Sequence, residues 1–211
     1  MKVTVFGASG GIGRELVRQA IDRGDEVTAV IRSGSSAQLP EGADVVRVDS
    51  LDDPDALVPA IQGADAVFSG IGPRGRNDGP VAAPITTVIA AAMKQAGVRR
   101  IVAVSAAPVG PPPERDAFLN KRVLIPLIGS LLKPVYDDLD RMEQVLRSSG
   151  LDWTVVRPPK LTAKPATGSY RTVVGANIER AFSVSRADVA HAMLGAVSDP
   201  STVGQPVGVA N

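Results

Sequence analysis

Lys2-Val3-Thr4-Val5-Phe6-Gly7-Ala8-Ser9-Gly10-Gly11-Ile12-Gly13 is a β-branched run that breaks into a glycine-rich turn. Ile12, Leu16, Val17, Ala20 and Ile21 then recur at helical spacing until Gly24. Glycine-rich loops close many turns that bind nothing, so the spacing is informative only through its setting. Here it lies between a strand and an amphipathic helix, which makes it the first βα turn of an open parallel sheet. In that setting Gly7 permits the tight turn, Gly10 lets the backbone approach a pyrophosphate, and Gly13 lets the helix pack close to the sheet. The helix N-terminus at Gly11 and Ile12 favours negative charge. The motif points to a bound dinucleotide.

Outward from this unit, short β-branched runs alternate with amphipathic stretches along the whole chain. Strands are expected at Glu26 to Ile31, Val45 to Val48, Asp65 to Ser69, Arg100 to Ser105 and Leu151 to Arg157, the last stopped by Pro158-Pro159. Asp53-Pro54 offers a helix cap followed by a proline suited to the first helical position, with the helix running to about Ile61. Val88, Ile89, Ala92, Met93 and Ala96 form the apolar face of a helix closed by Gly97. Tyr136 to Ser149 repeats the helical spacing, Ser185 and Asp188 form a capping box for a last helix, and Pro206 to Ala210 reads as a closing strand. Strand and helix in alternation predict an α/β fold, a Rossmann-type doubly wound parallel sheet flanked by helices on both faces. The 211 residues are expected to form one domain, 1–211, in which the long apolar connection at about 106–133, with Pro111-Pro112-Pro113, is read as a lid.

Composition narrows the chemistry. A formal net charge of +1 leaves no electrostatic footprint for nucleic acid. The chain has no cysteine and one histidine, His191, which excludes disulfides, thiolate nucleophiles and a histidine-rich metal centre. No metal site is expected. The N-terminus lacks the pattern of a signal peptide, which favours a cytoplasmic location. The apolar stretch Val123 to Leu132 is interrupted by Pro126 and Gly129 and is too short to span a bilayer. It could cover a ligand or a second subunit, so a monomer and a small homo-oligomer both remain open.

Cofactor choice is expected to be set at the end of the second strand. An acidic residue there would bind the ribose hydroxyls of NAD, whereas this chain carries Arg32, with Ser33 following and Arg14 just past the loop. A guanidinium is a persistent charge with a planar fork of donors and suits a 2′-phosphate, so NADP(H) is expected in preference to NAD(H). The alternative reading of Arg32 is a solvated loop charge. Ser9 belongs to the loop itself. Asp49-Ser50 and Gly70-Ile71-Gly72 follow strands three and four, where open sheets bind ligands, although each could be an ordinary turn.

These segments together resemble atypical short-chain dehydrogenase/reductases, in particular the group with NADPH-dependent flavin reductase and biliverdin-IX-beta reductase. The likeness rests on Val5-Phe6-Gly7-Ala8-Ser9-Gly10, Val30-Ile31-Arg32, Ala103-Val104-Ser105-Ala106, Ser149-Gly150-Leu151, Thr167-Gly168-Ser169-Tyr170 and the run Ser183 to Ala190, in order along nearly the whole chain. It implies that Ser105 lies beside the nicotinamide, and that Pro158, Pro159, Lys160 and Leu161 line the same end of the cofactor. The chain departs from the Tyr-x-x-x-Lys pair of many short-chain dehydrogenases: Tyr136 is followed four positions on by Asp140, which would disfavour a phenolate. The resemblance therefore implies hydride transfer to a flat conjugated small-molecule acceptor such as a flavin, quinone or linear tetrapyrrole, with Ser105 and Tyr136 as candidate catalytic residues. The rival readings are a non-catalytic NADP-binding sensor and, disfavoured by Asp140, a sugar-nucleotide epimerase or ketone reductase.

Overall fold

A computed structural model describes residues 1–73, 78–113 and 125–211, the side chains of 125–131 excepted. In chain order the elements are β1 (Lys2–Phe6), α1 (Gly11–Asp22), β2 (Glu26–Arg32), β3 (Ala43–Val48), α2 (Pro54–Ile61), β4 (Ala66–Ser69), α3 (Ala82–Ala96) and β5 (Arg100–Val104). There follow α4 (Ile125–Ser148), β6 (Asp152–Arg157), β7 (Lys160–Thr162), β8 (Arg171–Val174), β9 (Ser183–Ser185), α5 (Arg186–Ala196) and β10 (Gln205–Ala210). One sheet runs β3-β2-β1-β4-β5-β6-β10-β8, parallel throughout except for β8, which pairs antiparallel with β10; β7 and β9 form a separate parallel pair. The expected doubly wound, Rossmann-type architecture is the one observed. Strand order reverses direction between β1 and β4, and the crevice at their carboxyl ends is where such sheets bind ligands.

Period-two alternation divides each central strand between two cores. Val3 and Val5 of β1 face the layer of α1 and α5, whereas Phe6 faces the layer of α2, α3 and α4. Thr4 shares the side of Phe6 and is buried, its hydroxyl satisfied by donating to the Ala60 carbonyl at 2.6 Å. A strand covered on both faces gains from bulk on every side chain, which is why these runs are continuously apolar rather than alternating with charge.

Two expectations for the region after β5 need correction. Residues 125–133, assigned to the lid, form the first part of α4, and Tyr136 stands inside that helix rather than at its start. The helix passes through Pro134, where one ladder hydrogen bond is missing, and continues because it is held along the rest of its length. Residues 107–109 make a single 3-10 turn, and the rest of the lid assignment, 114–124, lies outside the described residues. Strands β7, β8 and β9 were not expected, since each spans three or four residues and β8 is exposed on both faces, leaving no periodic signal. No helix among the described residues is long and apolar enough to cross a membrane.

Helix α3 begins at Val81, which has no side-chain oxygen to cap the exposed amides. Asp138, on α4, supplies it instead. Its carboxylate accepts from the backbone amides of Val81 at 2.8 Å, Ala82 at 2.7 Å and Ala83 at 3.1 Å, in a buried position. Asp188 plays a related part on α5, where its amide donates to the Ser185 cap at 2.9 Å and its carboxylate takes the Ser185 hydroxyl and the amides of Thr167 and Gly168. Burial opposes the charge on Asp188, but these hydrogen bonds outweigh it and hold the carboxyl below the ordinary aspartate value.

Asp138→Ala leaves three amides at a buried helix start without a partner, a loss of about 2–3 kcal/mol that thermal unfolding should register as a fall of roughly 4–12 °C. For Asp188 the sign follows from its lowered value: its contribution is complete above the ordinary aspartate value and disappears as pH falls through the lower folded one. Acid titration of stability should therefore show a shallower acid limb in Asp188→Asn than in the wild type.

Candidate functional site

The carboxyl ends of β1 to β5 open into a cleft of about 1100 Å³. At its floor the backbone of the first βα turn is drawn in tightly. Gly7 adopts φ +72°, and a Cβ on Gly13 would lie 2.1 Å from the Gly7 carbonyl oxygen, so only glycine admits this approach of helix to sheet. Gly70, after β4, presses against the same turn: a Cβ on Gly7 would meet the Gly70 carbonyl carbon at 2.8 Å. Gly70 therefore serves packing as well as lining the cleft. Gly10 caps α1 in extended conformation with no side-chain hydrogen bond, so the amides that begin the helix are available to a ligand.

Most of the residues expected at a dinucleotide site meet in this cleft. Gly7, Ser9, Gly10, Gly11 and Ile12 form one wall, and Arg32, Asp49 and Ser50 another. Gly70, Ile71 and Gly72 extend the floor towards Ser105 and Tyr136 at the far end. Arg32 is the last residue of β2, paired with Val48 of β3, and its exposed guanidinium makes no hydrogen bond or ion pair among the described residues. The Ser50 hydroxyl bonds to Asp52. Of the Pro158-Pro159-Lys160-Leu161 run, Leu161 reaches the wall; Pro158 is buried and its carbonyl accepts from the Ala107 amide at 2.9 Å. Pro159 and Lys160 lie outside the wall, as do Gly13 beneath the turn, Arg14 on the exposed side of α1, and Ser33, whose amide donates to Val48.

Tyr136 is half-buried, and burial pushes its phenol above the ordinary tyrosine value. The group is therefore a neutral donor near neutrality rather than a base. Asp140 does not act on it as expected, since burial alone raises the phenol and the Asp140 carboxylate accepts from Gln144 at 2.7 Å.

Two residues were not anticipated. Arg186 opens α5 and lays its side chain across Gly11, so close that a Cβ there would come within 2.5 Å of its Cδ. Its guanidinium borders the cleft, beside the start of α1, with no hydrogen bond or ion pair among the described residues. Glu143, on α4, is buried beneath Ser105 and ion-paired to Arg157 and Arg147. Arg186 stood in a segment noted for its cap and for the family resemblance, with no role of its own. Glu143 had a visible signal, a carboxylate four positions after Leu139 on the apolar side of its helix.

Chemically, the cleft offers free helix amides, two unpaired guanidiniums at separate points of its wall, and an apolar far end with a serine and a phenol. Its volume exceeds that of a typical small-molecule pocket, about 300–1,000 Å³, so an elongated anionic ligand leaves room for a second molecule. Glycines that admit no Cβ, next to amides with no cap, form a cradle that a diphosphate fits.

Comparison with known proteins agrees with this geometry. The chain is 30% identical to the uncharacterized sugar epimerase YhfK of Bacillus subtilis, over 96% of its own length and 90% of that protein. Some curated relatives are much longer, the match spanning 14% of the uncharacterized protein Rv2047c of Mycobacterium tuberculosis, whereas it spans 93% of the UPF0659 protein YMR090W of Saccharomyces cerevisiae at 26% identity. Among solved structures, a short-chain dehydrogenase/reductase of Veillonella parvula in complex with NADP superposes with a TM-score of 0.76, at 23% identity over 100% of this chain and 94% of that one. The anaerobillin reductase ChuY of Escherichia coli O157:H7 superposes with a TM-score of 0.77, at 22% identity over 100% and 97% of the two chains. At these identities the two structures share the fold. The model of the NAD(P)H-binding family matches residues 7–200, and the chain belongs to that family.

Proposed function

We propose that the protein is an NADPH-dependent reductase whose acceptor is a flat conjugated molecule such as a flavin, a quinone or a linear tetrapyrrole. The observation that carries this reading is one continuous cleft with the uncapped start of α1 and two unpaired guanidiniums at one end, and Ser105 and Tyr136 at the other. When bound, the nicotinamide supplies the hydride. The amides of Gly11 and Ile12 receive the diphosphate, and Arg186, lying across Gly11, neutralises it from the opposite side. Arg32 takes the 2′-phosphate at the end of β2. Ile71, Val104 and Leu139 exclude water from the far end, and the neutral Tyr136 phenol donates a hydrogen bond to the acceptor. Positioning and desolvation are the protein's contribution.

The absence of a lysine four residues after Tyr136 favours this acceptor class. Ketone reduction needs a proton delivered to a developing alkoxide, whereas a conjugated acceptor spreads the added charge and takes its proton from solvent. The Bacillus relative's name carries a second reading, sugar epimerisation. That reaction starts by removing a hydroxyl proton, which a phenol raised by burial performs poorly.

Separate titrations with NADPH and NADH test the nucleotide assignments. NADPH should bind more tightly in the wild type, and Arg32→Gln should weaken NADPH roughly 10–100-fold while leaving NADH within about threefold. Arg186→Gln should weaken both nucleotides by a similar factor, about tenfold, because its proposed partner is common to them. Tighter binding of NADH to the wild type would end the Arg32 assignment. The acceptor is tested by following loss of nicotinamide absorbance with a panel of flavins, quinones, tetrapyrroles and nucleotide sugars. Turnover with a flat acceptor should fall about tenfold in Ser105→Ala, and tight nucleotide binding with no turnover on any member would favour the sensor reading.

A further inference from the structure

Ser105 follows β5 at the far end of the cleft, and its hydroxyl lies 2.7 Å from Glu143 Oε1. The same carboxylate oxygen accepts from Arg157 Nε at 2.9 Å, while Oε2 accepts from Arg157 Nη2 and from Arg147 Nη2, each at 2.6 Å. The Glu143 side chain is 0% exposed and that of Arg157 is 5% exposed. A carboxylate held by three guanidinium N–H groups offers lone pairs only, so the proton in the Ser105–Glu143 bond belongs to the serine. A hydroxyl has one proton, and here it points into the protein. What Ser105 has left for the cleft is an oxygen with lone pairs, and no donor among the described residues reaches it. Beside it the wall is apolar, with Val104, Ala106, Val135 and Leu139.

We propose that Glu143 is a positioning residue that makes Ser105 an obligate hydrogen-bond acceptor towards the cleft, so that the ligand group seated there presents an N–H donor. The proposal rests on the dinucleotide reading of the cleft and narrows its ligand chemistry. A substrate carbonyl or an alkoxide would set acceptor against acceptor at Ser105, which works against ketone reduction at this site independently of the missing lysine. A carboxamide, imide, lactam or pyrrole N–H supplies the complementary donor. Two sources present such a group: the carboxamide of the nicotinamide, and the ring N–H of a flavin or tetrapyrrole acceptor.

Calorimetry on the full chain with two ligand pairs distinguishes the sources. NADP⁺ is compared with its 3-acetylpyridine analogue, in which a methyl ketone replaces the carboxamide. Lumiflavin is compared with 3-methyllumiflavin, in which a methyl group replaces the imide hydrogen. In the wild type, at least one pair should separate by about tenfold or more in favour of the N–H-bearing member, because an acceptor built into a dry site discriminates strongly against a ligand lacking the donor. Ser105→Ala should reduce that separation to within about twofold, since the acceptor is gone. Glu143→Gln frees the serine proton by offering it an amide N–H, and should narrow or invert the preference. Glu143→Asp keeps a charge between the guanidiniums but withdraws it from Ser105, and should also narrow the preference if the amide variant fails to fold. Equal affinities within both pairs, an undiminished separation in Ser105→Ala, or a full separation in a folded Glu143 variant would each overturn the proposal. A protein that binds neither nucleotide refutes the dinucleotide reading instead, and the lumiflavin pair then decides the role of Ser105 by itself.

Discussion

The contact between the Gly7 carbonyl and the bare α-carbon of Gly13 governs how everything else is placed. A single methyl group there would come within 2.1 Å of that oxygen and push α1 off the sheet. With the methyl absent, the helix starts directly at the crevice between β1 and β4, where the winding of the sheet reverses. The partial positive charge of its first amides then falls inside a space already bounded by strand ends. Gly70 leans on the same turn from β4, so the two central strands are tied together at the floor of the cleft. A site built this way is fixed by backbone packing, before any side chain contributes specificity.

The opposite wall depends on α4, which carries several jobs within two turns. Tyr136 and Leu139 face the cleft, Asp138 caps the start of α3, and Glu143 anchors Ser105 and Arg157. Positions 136, 139 and 143 recur at the spacing of one helix face, so a single orientation of α4 satisfies all three. The buried Glu143 links α4 to the ends of β5 and β6 at the far end of the cleft. Charges buried with complete hydrogen bonding are expensive to mismatch, which favours one arrangement of these elements over near alternatives.

Membership of the NAD(P)H-binding family fits a fold shared by proteins with different names, among them a sugar epimerase and an anaerobillin reductase. Such a fold places a dinucleotide and leaves the chemistry to residues at the far end. In this chain the far end of the cleft holds a serine whose hydroxyl donates inward to Glu143 and a phenol raised by burial, and the proposed function assigns the chemistry to them. Both features are electrostatic properties of the neighbourhood rather than of the backbone that the fold shares.

Local pattern was enough for the sheet, the glycine turn, the Ser185 cap and the stop after Arg157, because each depends on contacts within a few residues along the chain. The position of Arg32 was legible too, since the end of the second strand is a defined place in any such sheet. The start of α4 was placed at Tyr136 instead of Ile125, because the run from Ile125 to Leu132 is apolar nearly throughout and shows no helical alternation. Arg186 over Gly11, Asp138 beneath α3 and Glu143 under Ser105 join residues that are 175, 56 and 38 positions apart or nearly so, and no periodicity encodes such meetings. By itself the sequence determined the fold class and the dinucleotide turn, through short-range periodicity and the absence of a Cβ. Only the tertiary structure decided which charges stay free for a ligand and which are consumed internally, because that depends on the partner each side chain finds across the fold.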